Sequence, residues 1–412
     1  MTVFRPFKAI HPTEEHAKDV AALPYDVMNE QEAREMTKDN PNTFLRIDRA
    51  EVNLPEGTDP HSKEVYEQAR KLLDEKIEEG VYVQDKTPTF YLYRLTWQGR
   101  SQTGFVGLLS IEDYENDVIK KHEFTRAEKE EDRINHVNTT EAHTGPIFIT
   151  YKAEDRLREI KEEFSKGEPL VSLTYDDGVT HEVWAIQDEA INREITEIFE
   201  KIPSVYIADG HHRAASAYRV GERRRKENPN HTGEEEYNYF LSVLFADEEL
   251  YIMDYNRVIV DTNGLSDDEY MEKVKEKFDV EEIQGEDVRP SKKHEFTMFF
   301  KEKIYKLTPK EGTFDPEHPV HSLDADILQT NLLAPVLGID DPRKSDRVDF
   351  IGGIRGVEGV TKRLGEDMEI GFLLYPVTIS DLMRIADSGN VMPPKSTWFE
   401  PKLRSGLFIH RF

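Results

Sequence analysis

The stretch that most restricts the fold is Val205-Tyr206-Ile207-Ala208-Asp209-Gly210-His211-His212-Arg213-Ala214-Ala215-Ser216-Ala217-Tyr218. Residues 205–208 form an apolar run of strand length, and 214–217 are rich in alanine, the best helix former. A glycine breaks the pattern between them, so the chain must leave a buried strand and enter a helix within about one turn. Such a junction presents free backbone N–H groups and the positive end of a helix dipole, and Gly210 lets a phosphate approach closely. His211, His212 and Arg213 add donors there, and Arg213 can grip phosphate oxygens bidentately. Asp209 at the strand end either holds a magnesium ion or caps the helix. Two adjacent histidines point different ways, so at most one of them faces a ligand directly. The bland alternative leaves Asp209 as a cap and the histidines at a subunit surface. A zinc site is disfavoured because the pair lacks the i, i+4 spacing of a helical zinc motif.

Around this junction helical and extended patterns alternate, which predicts an α+β (mixed α/β) fold with a mixed sheet, hairpins and flanking helices. Val65, Ala69, Leu72, Leu73 and Ile77 make a helical stripe between Ser62, a cap candidate, and Gly80, a stop. Residues 90–96 and 104–111 read as strands joined through Gln98-Gly99-Arg100, and 171–175 pairs with 179–186 across Asp176-Asp177-Gly178. Ile191, Ile195, Ile198 and Phe199 mark a helix before the junction; 239–245 and 250–255 resume strand character after it. Residues 265–287 read as a helix and 292–307 as a hairpin turning near Lys301-Glu302-Lys303. The expected organisation is a catalytic core over 1–262, a smaller lobe over 263–345 and a segment over 346–412 that docks back on the core.

A chain of 412 residues exceeds the usual size of a single core, and its 37% hydrophobic and 10% aromatic content suits a globular protein. The 82 acidic against 54 basic side chains leave a net charge of -28, which disfavours nucleic acid as a partner. The one dense basic run, 219–226, closes an amphipathic helix, where cations complement the dipole. With no cysteine, disulfides, thiolate metal sites and cysteine nucleophiles are excluded. No stretch approaches the ~20 apolar residues of a membrane span, so the expected location is the cytoplasm, with no membrane partner and with a homodimer allowed.

Two further stretches carry chemistry. Lys120-Lys121-His122-Glu123-Phe124-Thr125-Arg126, continuing to His143, is too polar for a core; it is either a solvated helix or the lip of a polar substrate site. Within it Glu123 is a candidate general base and Arg133 can neutralise a carboxylate. Residues 392–407, with Pro393, Pro394, Lys395, Trp398, Phe399, Lys402 and Arg404, suit a docked rigid segment whose Lys395 and Lys402 reach an anion or pair with the acidic surface. Tyr25-Asp26, after Pro24, is a further candidate with an ordinary turn as its alternative. Walker, Gly-x-Gly-x2-Gly, His-Glu-x2-His and Gly-x-Ser-x-Gly signatures are all missing.

Pro24-Tyr25-Asp26-Val27, His122-Glu123-x-Thr125, Asp209-Gly210-His211-His212-Arg213 and Lys395-Ser396-Thr397-x-Phe399-x-Pro401-Lys402 together resemble the family catalogued as domain of unknown function 1015, over essentially the whole chain. The Asp-Gly-His-His-Arg turn alone is similar to the nucleotide-phosphate motif of the ParB and sulfiredoxin superfamily, which includes free-serine kinases. That resemblance implies a ParB/sulfiredoxin-like core with Gly210, His212 and Arg213 as phosphate cradle and Asp209 as the acidic residue of the kinase branch. The sulfiredoxin branch needs a cysteine absent here, and the DNA-binding ParB branch conflicts with the acidic charge. What remains is phosphoryl transfer from ATP or ADP, with Mg2+ on Asp209, to free serine, a small polar amino acid. Asp209, His212 and Glu123 then form the catalytic group, His211 joins the phosphate ligands, and His122, Thr125, Arg133, Lys395 and Lys402 line the substrate. A nucleotide-binding regulatory module with little turnover and a metal-dependent hydrolase using histidines of 122–143 are the alternatives.

Overall fold

Two positive-φ residues in succession, Gln98 at 50° and Gly99 at 76°, turn the chain between the strands Phe90–Trp97 and Arg100–Ser110. Mirror-image turns of this kind match the twist of the flanking strands, so the register Tyr91–Val106 through Trp97–Arg100 follows. In the computed structural model, which describes residues 1–125, 127–285 and 287–412 (127–129 by backbone alone), this hairpin lies inside a nine-stranded sheet. From one edge the strands are Ile119–Lys120, Val205–Asp209, Ile147–Tyr151, Tyr239–Ala246, Arg100–Ser110, Phe90–Trp97, Thr180–Ile186 and Val171–Thr174, with Phe4–Arg5 paired to Arg100–Ser110 off this path. Val205–Asp209 runs parallel to Ile119–Lys120 and Tyr239–Ala246 parallel to Ile147–Tyr151, while the other pairings are antiparallel. The fold is thus mixed α/β with a mixed sheet.

Helices cover the sheet because their apolar stripes match its buried strands. Glu189–Lys201 buries Ile195 and Phe199 in the core that also holds Phe4, Phe105, Ile149 and Ile207. Its start is held by Asp188, whose carboxylate accepts the N–H groups of Ala190 and Ile191 at 2.8 and 3.2 Å. Lys63–Glu78 ends before Gly80, φ 77°, as its glycine stop requires, but the Ser62 hydroxyl makes no capping bond.

The polar stretch 122–143 corrects the expectation that it could not enter a core. It forms the helix Ala127–Thr140, and Arg133, His136, Thr140 and His143 are all buried. Burial is possible because each finds a partner: Arg133 the Asp132 carboxylate, His136 the Ile47 carbonyl at 3.1 Å, Thr140 the His136 carbonyl at 2.8 Å, and His143 the ring of His410 at 3.1 Å.

By contacts the chain forms two compact units, Met1–Leu250 with Pro401–Phe412, and Tyr251–Glu400. The sequence divisions at 262 and 345 therefore differ from these, since 348–399 supplies strands and helices of the second unit and only 401–412 belongs with the first. There Ser405 exchanges backbone hydrogen bonds with Ala22 at 2.9 and 3.1 Å, Ile409 does so with Ile10, and His410–Arg411 pairs with Ala142–His143. The second unit is a six-stranded antiparallel sheet in the order Phe278–Ile283, Lys303–Pro309, Phe296–Phe300, Ile370–Leu374, Tyr255–Ile259, Val348–Gly352. The helix read over 265–287 stops at Lys277, because Phe278, Val280 and Ile283 fall on a strand that pairs with Lys303–Pro309. Among the described residues no helix is long and apolar enough to cross a membrane.

Candidate functional site

Val205–Asp209 ends at Gly210, which sits at the N-cap of the helix His211–Glu227 with φ 95°. Gly210 brings no side chain to cap this helix. A helix start carries backbone N–H groups and the positive end of the helix dipole.

The parallel register Val205–Ile119 and Tyr206–Lys120 carries the chain onward so that His122-Glu123 reaches the same corner as His211. The His122 backbone N–H donates to His211 Nε2 at 3.5 Å, and the two rings meet edge to face at 4.4 Å. An accepting Nε2 places the His211 proton on Nδ1, which lies 3.9 Å from Glu123 Oε2. Burial pushes the His211 ring down to about 4 against the pull of Asp209, and burial with the neighbouring His211 pushes His122 down to about 3. Both rings are neutral at physiological pH. Neither ring nitrogen of His122 makes a hydrogen bond of good geometry among the described residues.

Asp209 is held from both sides. Its Oδ1 accepts the Gly210 N–H at 2.8 Å and its Oδ2 the Lys402 ammonium at 3.0 Å. Burial works against its charge, but Lys402 and Arg213 outweigh this and hold the carboxyl well below the usual range. Arg213 folds back over the glycines: a Cβ on Gly210 would lie 3.2 Å from its Nε, and one on Gly145 3.3 Å from its Nη1. Its Nη1 donates to the Pro146 carbonyl at 2.5 Å. Each Asp209 oxygen thus accepts one hydrogen bond, and among the described residues no group of three or more His, Asp or Glu converges that could hold a metal without further ligands.

Beside Arg213 the first unit opens into a cleft of about 380 Å³ lined by Tyr25, Asp48, Arg49, Glu51, Asp132 and Arg133, among others. Tyr25, Asp48, Arg133 and His136 also line a narrow cavity of about 30 Å³ that Arg213 borders. Arg133 lies 4.1 Å over the Tyr25 ring, with its Nε donating to Asp132 at 2.8 Å. Burial first, then Asp26 and Asp132, push the Tyr25 hydroxyl up to about 12 against Arg133 and Arg213.

Glu123, Asp209, Gly210, His211, Arg213 and Lys402 are therefore joined in one network, with His212 in the first turn of the same helix. Thr125 instead donates to Glu130 at 2.7 Å. Lys395 belongs to the second unit, its ammonium 5.7 Å over the Tyr255 ring. Asp48, Arg49 and Glu51 were missed. Their signal was the cluster of charges in Arg46-Ile47-Asp48-Arg49-Ala50-Glu51, where Asp48 and Glu51 are buried between apolar neighbours.

Among solved structures the chain is similar to a conserved hypothetical protein from Pyrococcus furiosus, at 14% identity and a TM-score of 0.37, over 73% of this chain and 93% of that one. It is also similar to a free serine kinase in complex with AMP, at 14% identity and a TM-score of 0.38, over 73% of this chain and 90% of the other. A third is SbnI with C-terminal truncation from Staphylococcus aureus, at 11% identity and a TM-score of 0.39, over 74% and 87%. No curated protein matches the chain in sequence. Matching the family's sequence model over residues 4–326, the chain belongs to the family described as Protein of unknown function (DUF1015).

Proposed function

We propose that this protein is a nucleotide-dependent phosphotransferase that transfers a phosphoryl group from ATP or ADP to the hydroxyl of free serine. The observation that carries the reading is the convergence of Glu123 on the turn that Gly210, His211 and Arg213 build at a helix start. Phosphoryl transfer depends on positioning and on neutralising charge spread over the phosphate oxygens. Backbone N–H groups of the first helical turn, His212 and Arg213 would hold the phosphates, and Lys402 would fix Asp209 against the glycine. The serine oxygen bonds to phosphorus as the bond to the nucleotide's bridging oxygen breaks, and the hydroxyl proton passes to Glu123. Side-chain exposure of 37% leaves Glu123 open to an acceptor. Mg2+ belongs to this reaction as part of the nucleotide substrate, carried on its phosphates, with Asp209 as the carboxylate that would meet it.

The test is formation of O-phosphoserine from serine with ATP or ADP. Arg213→Ala should cut turnover by roughly a hundredfold or more by removing a bidentate contact to the transferring group. Glu123→Gln should lower the chemical step by roughly 10² to 10⁴-fold and spare nucleotide affinity. Nucleotide binding without transfer to any amino acid would replace the kinase by a regulatory nucleotide-binding module.

A further inference from the structure

The cleft next to the turn has the wrong charge for a phosphate. Asp26, Asp48, Glu51 and Asp132 line it against only Arg49 and Arg133. Each arginine is moreover paired with a carboxylate of the cleft. Arg49 donates through Nε to Glu51 at 2.6 Å and through Nη1 to the carbonyls of Tyr25 and Met28, both at 3.1 Å. Arg133 pairs with Asp132, which also accepts from the Tyr66 hydroxyl at 2.9 Å and contacts His61 at 3.0 Å. Beyond these pairs Asp26 and Asp48 form no ion pair among the described residues, and Arg133 is the cation that Asp48 acts on through space. Asp48 is 4% exposed, and among the described residues only the Thr144 hydroxyl donates to its carboxylate, at 2.8 Å. A carboxylate has room for about four such donors, and a buried one with a single partner is costly unless a cation completes it.

We infer that this cleft binds the acceptor, and that it selects a small amino acid by its ammonium group. Asp48 receives the ammonium from the floor of the cleft. The Arg133 guanidinium, held flat on Tyr25 and tied to Asp132 through Nε, turns its remaining edge to the carboxylate. A volume of about 380 Å³ lies within the range of small-molecule sites. The side chains shared with the cavity at Arg213 set the acceptor's hydroxyl toward the phosphate turn. The term acceptor rests on the phosphotransferase reading; the ammonium site does not.

Calorimetric titration of the full chain with L-serine, ethanolamine and 3-hydroxypropionate, each without nucleotide, and separately with ADP, tests this. Serine should bind, ethanolamine should bind more weakly, and 3-hydroxypropionate, which lacks the amine, should not. Asp48→Asn keeps a side chain that can accept from Thr144 and should weaken serine at least tenfold while leaving ADP affinity unchanged. Met28→Trp, which fills the cleft from its wall, should also abolish serine binding and decides the matter if Asp48→Asn does not fold. The inference is overturned if 3-hydroxypropionate binds as well as serine, or if a folded variant binds serine as the wild type does. ADP binding with no amine bound defeats the cleft inference alone; amine binding without ADP defeats the nucleotide reading alone; binding of neither defeats both.

Discussion

Gly210 is the residue on which the turn depends, for two separable reasons. Its φ of 95° is a conformation that L side chains rarely adopt, and an added Cβ would press on Arg213 Nε at 3.2 Å. Gly80 shares only the first reason, with φ 77° and nothing within 4 Å. Both Gly210→Ala and Gly80→Ala should therefore lose about 1–2 kcal/mol in denaturant unfolding. Only Gly210→Ala should also weaken ADP, because it alone displaces the guanidinium. Equal loss of nucleotide affinity in both variants would mean that the glycine acts through stability rather than by shaping a phosphate site.

At the scale of elements, the site is made by one short parallel pairing. Ile119–Lys120 lies at the edge of the sheet beside Val205–Asp209, and the two-residue register between them is what delivers Glu123 to His211. The helix Glu189–Lys201 precedes the junction in sequence and supports it by packing, through Ile195 and Phe199, and by the Glu194–Arg156 ion pair. Asp188→Ala, which removes its cap, should lower stability by about 1 kcal/mol and leave phosphoserine formation unchanged when measured well below the melting temperature. A fall in turnover as large as that of Arg213→Ala would show that this helix does more than support the strand.

Across the whole molecule, buried histidines tie stability to pH. Burial holds His122 and His181 at about 3 and His211 at about 4, all below the ordinary value near 6.5. As the pH falls through that ordinary value, the unfolded chain takes up protons that the folded chain refuses. Stability is therefore full above about pH 6.5 and declines toward the folded values, each histidine withdrawing about 2 kcal/mol by about pH 5. Urea unfolding at neutral pH and at about pH 5 should show this decline, and equal midpoints would mean that these rings are charged when folded. The first unit also depends on the chain's return: Lys402 reaches Asp209, and Ser405, Ile409 and His410 pair with Ala22, Ile10 and His143. Ending the chain at Glu400 should lower the unfolding midpoint and weaken nucleotide binding, since Asp209 loses its cation. Unchanged nucleotide affinity in a folded truncation would remove Lys402 from the site.

The strand, glycine and helix of the turn at Gly210 were legible in the residues themselves, because an apolar run, a glycine and an alanine-rich continuation each act on the backbone within a few positions. The Gln98-Gly99 hairpin was legible for the same reason. What the residues could not show was which distant segments would meet. Arg133 and His136 looked too polar to bury until Asp132, Tyr25 and the Ile47 carbonyl enclosed them. Asp48, Arg49 and Glu51 stand in a local run of charges, but that run does not show a cleft, which exists only where three helices and the Tyr25 loop converge. Whether a charged side chain is solvated or buried is set by partners far along the chain, and that pairing belongs to the tertiary structure.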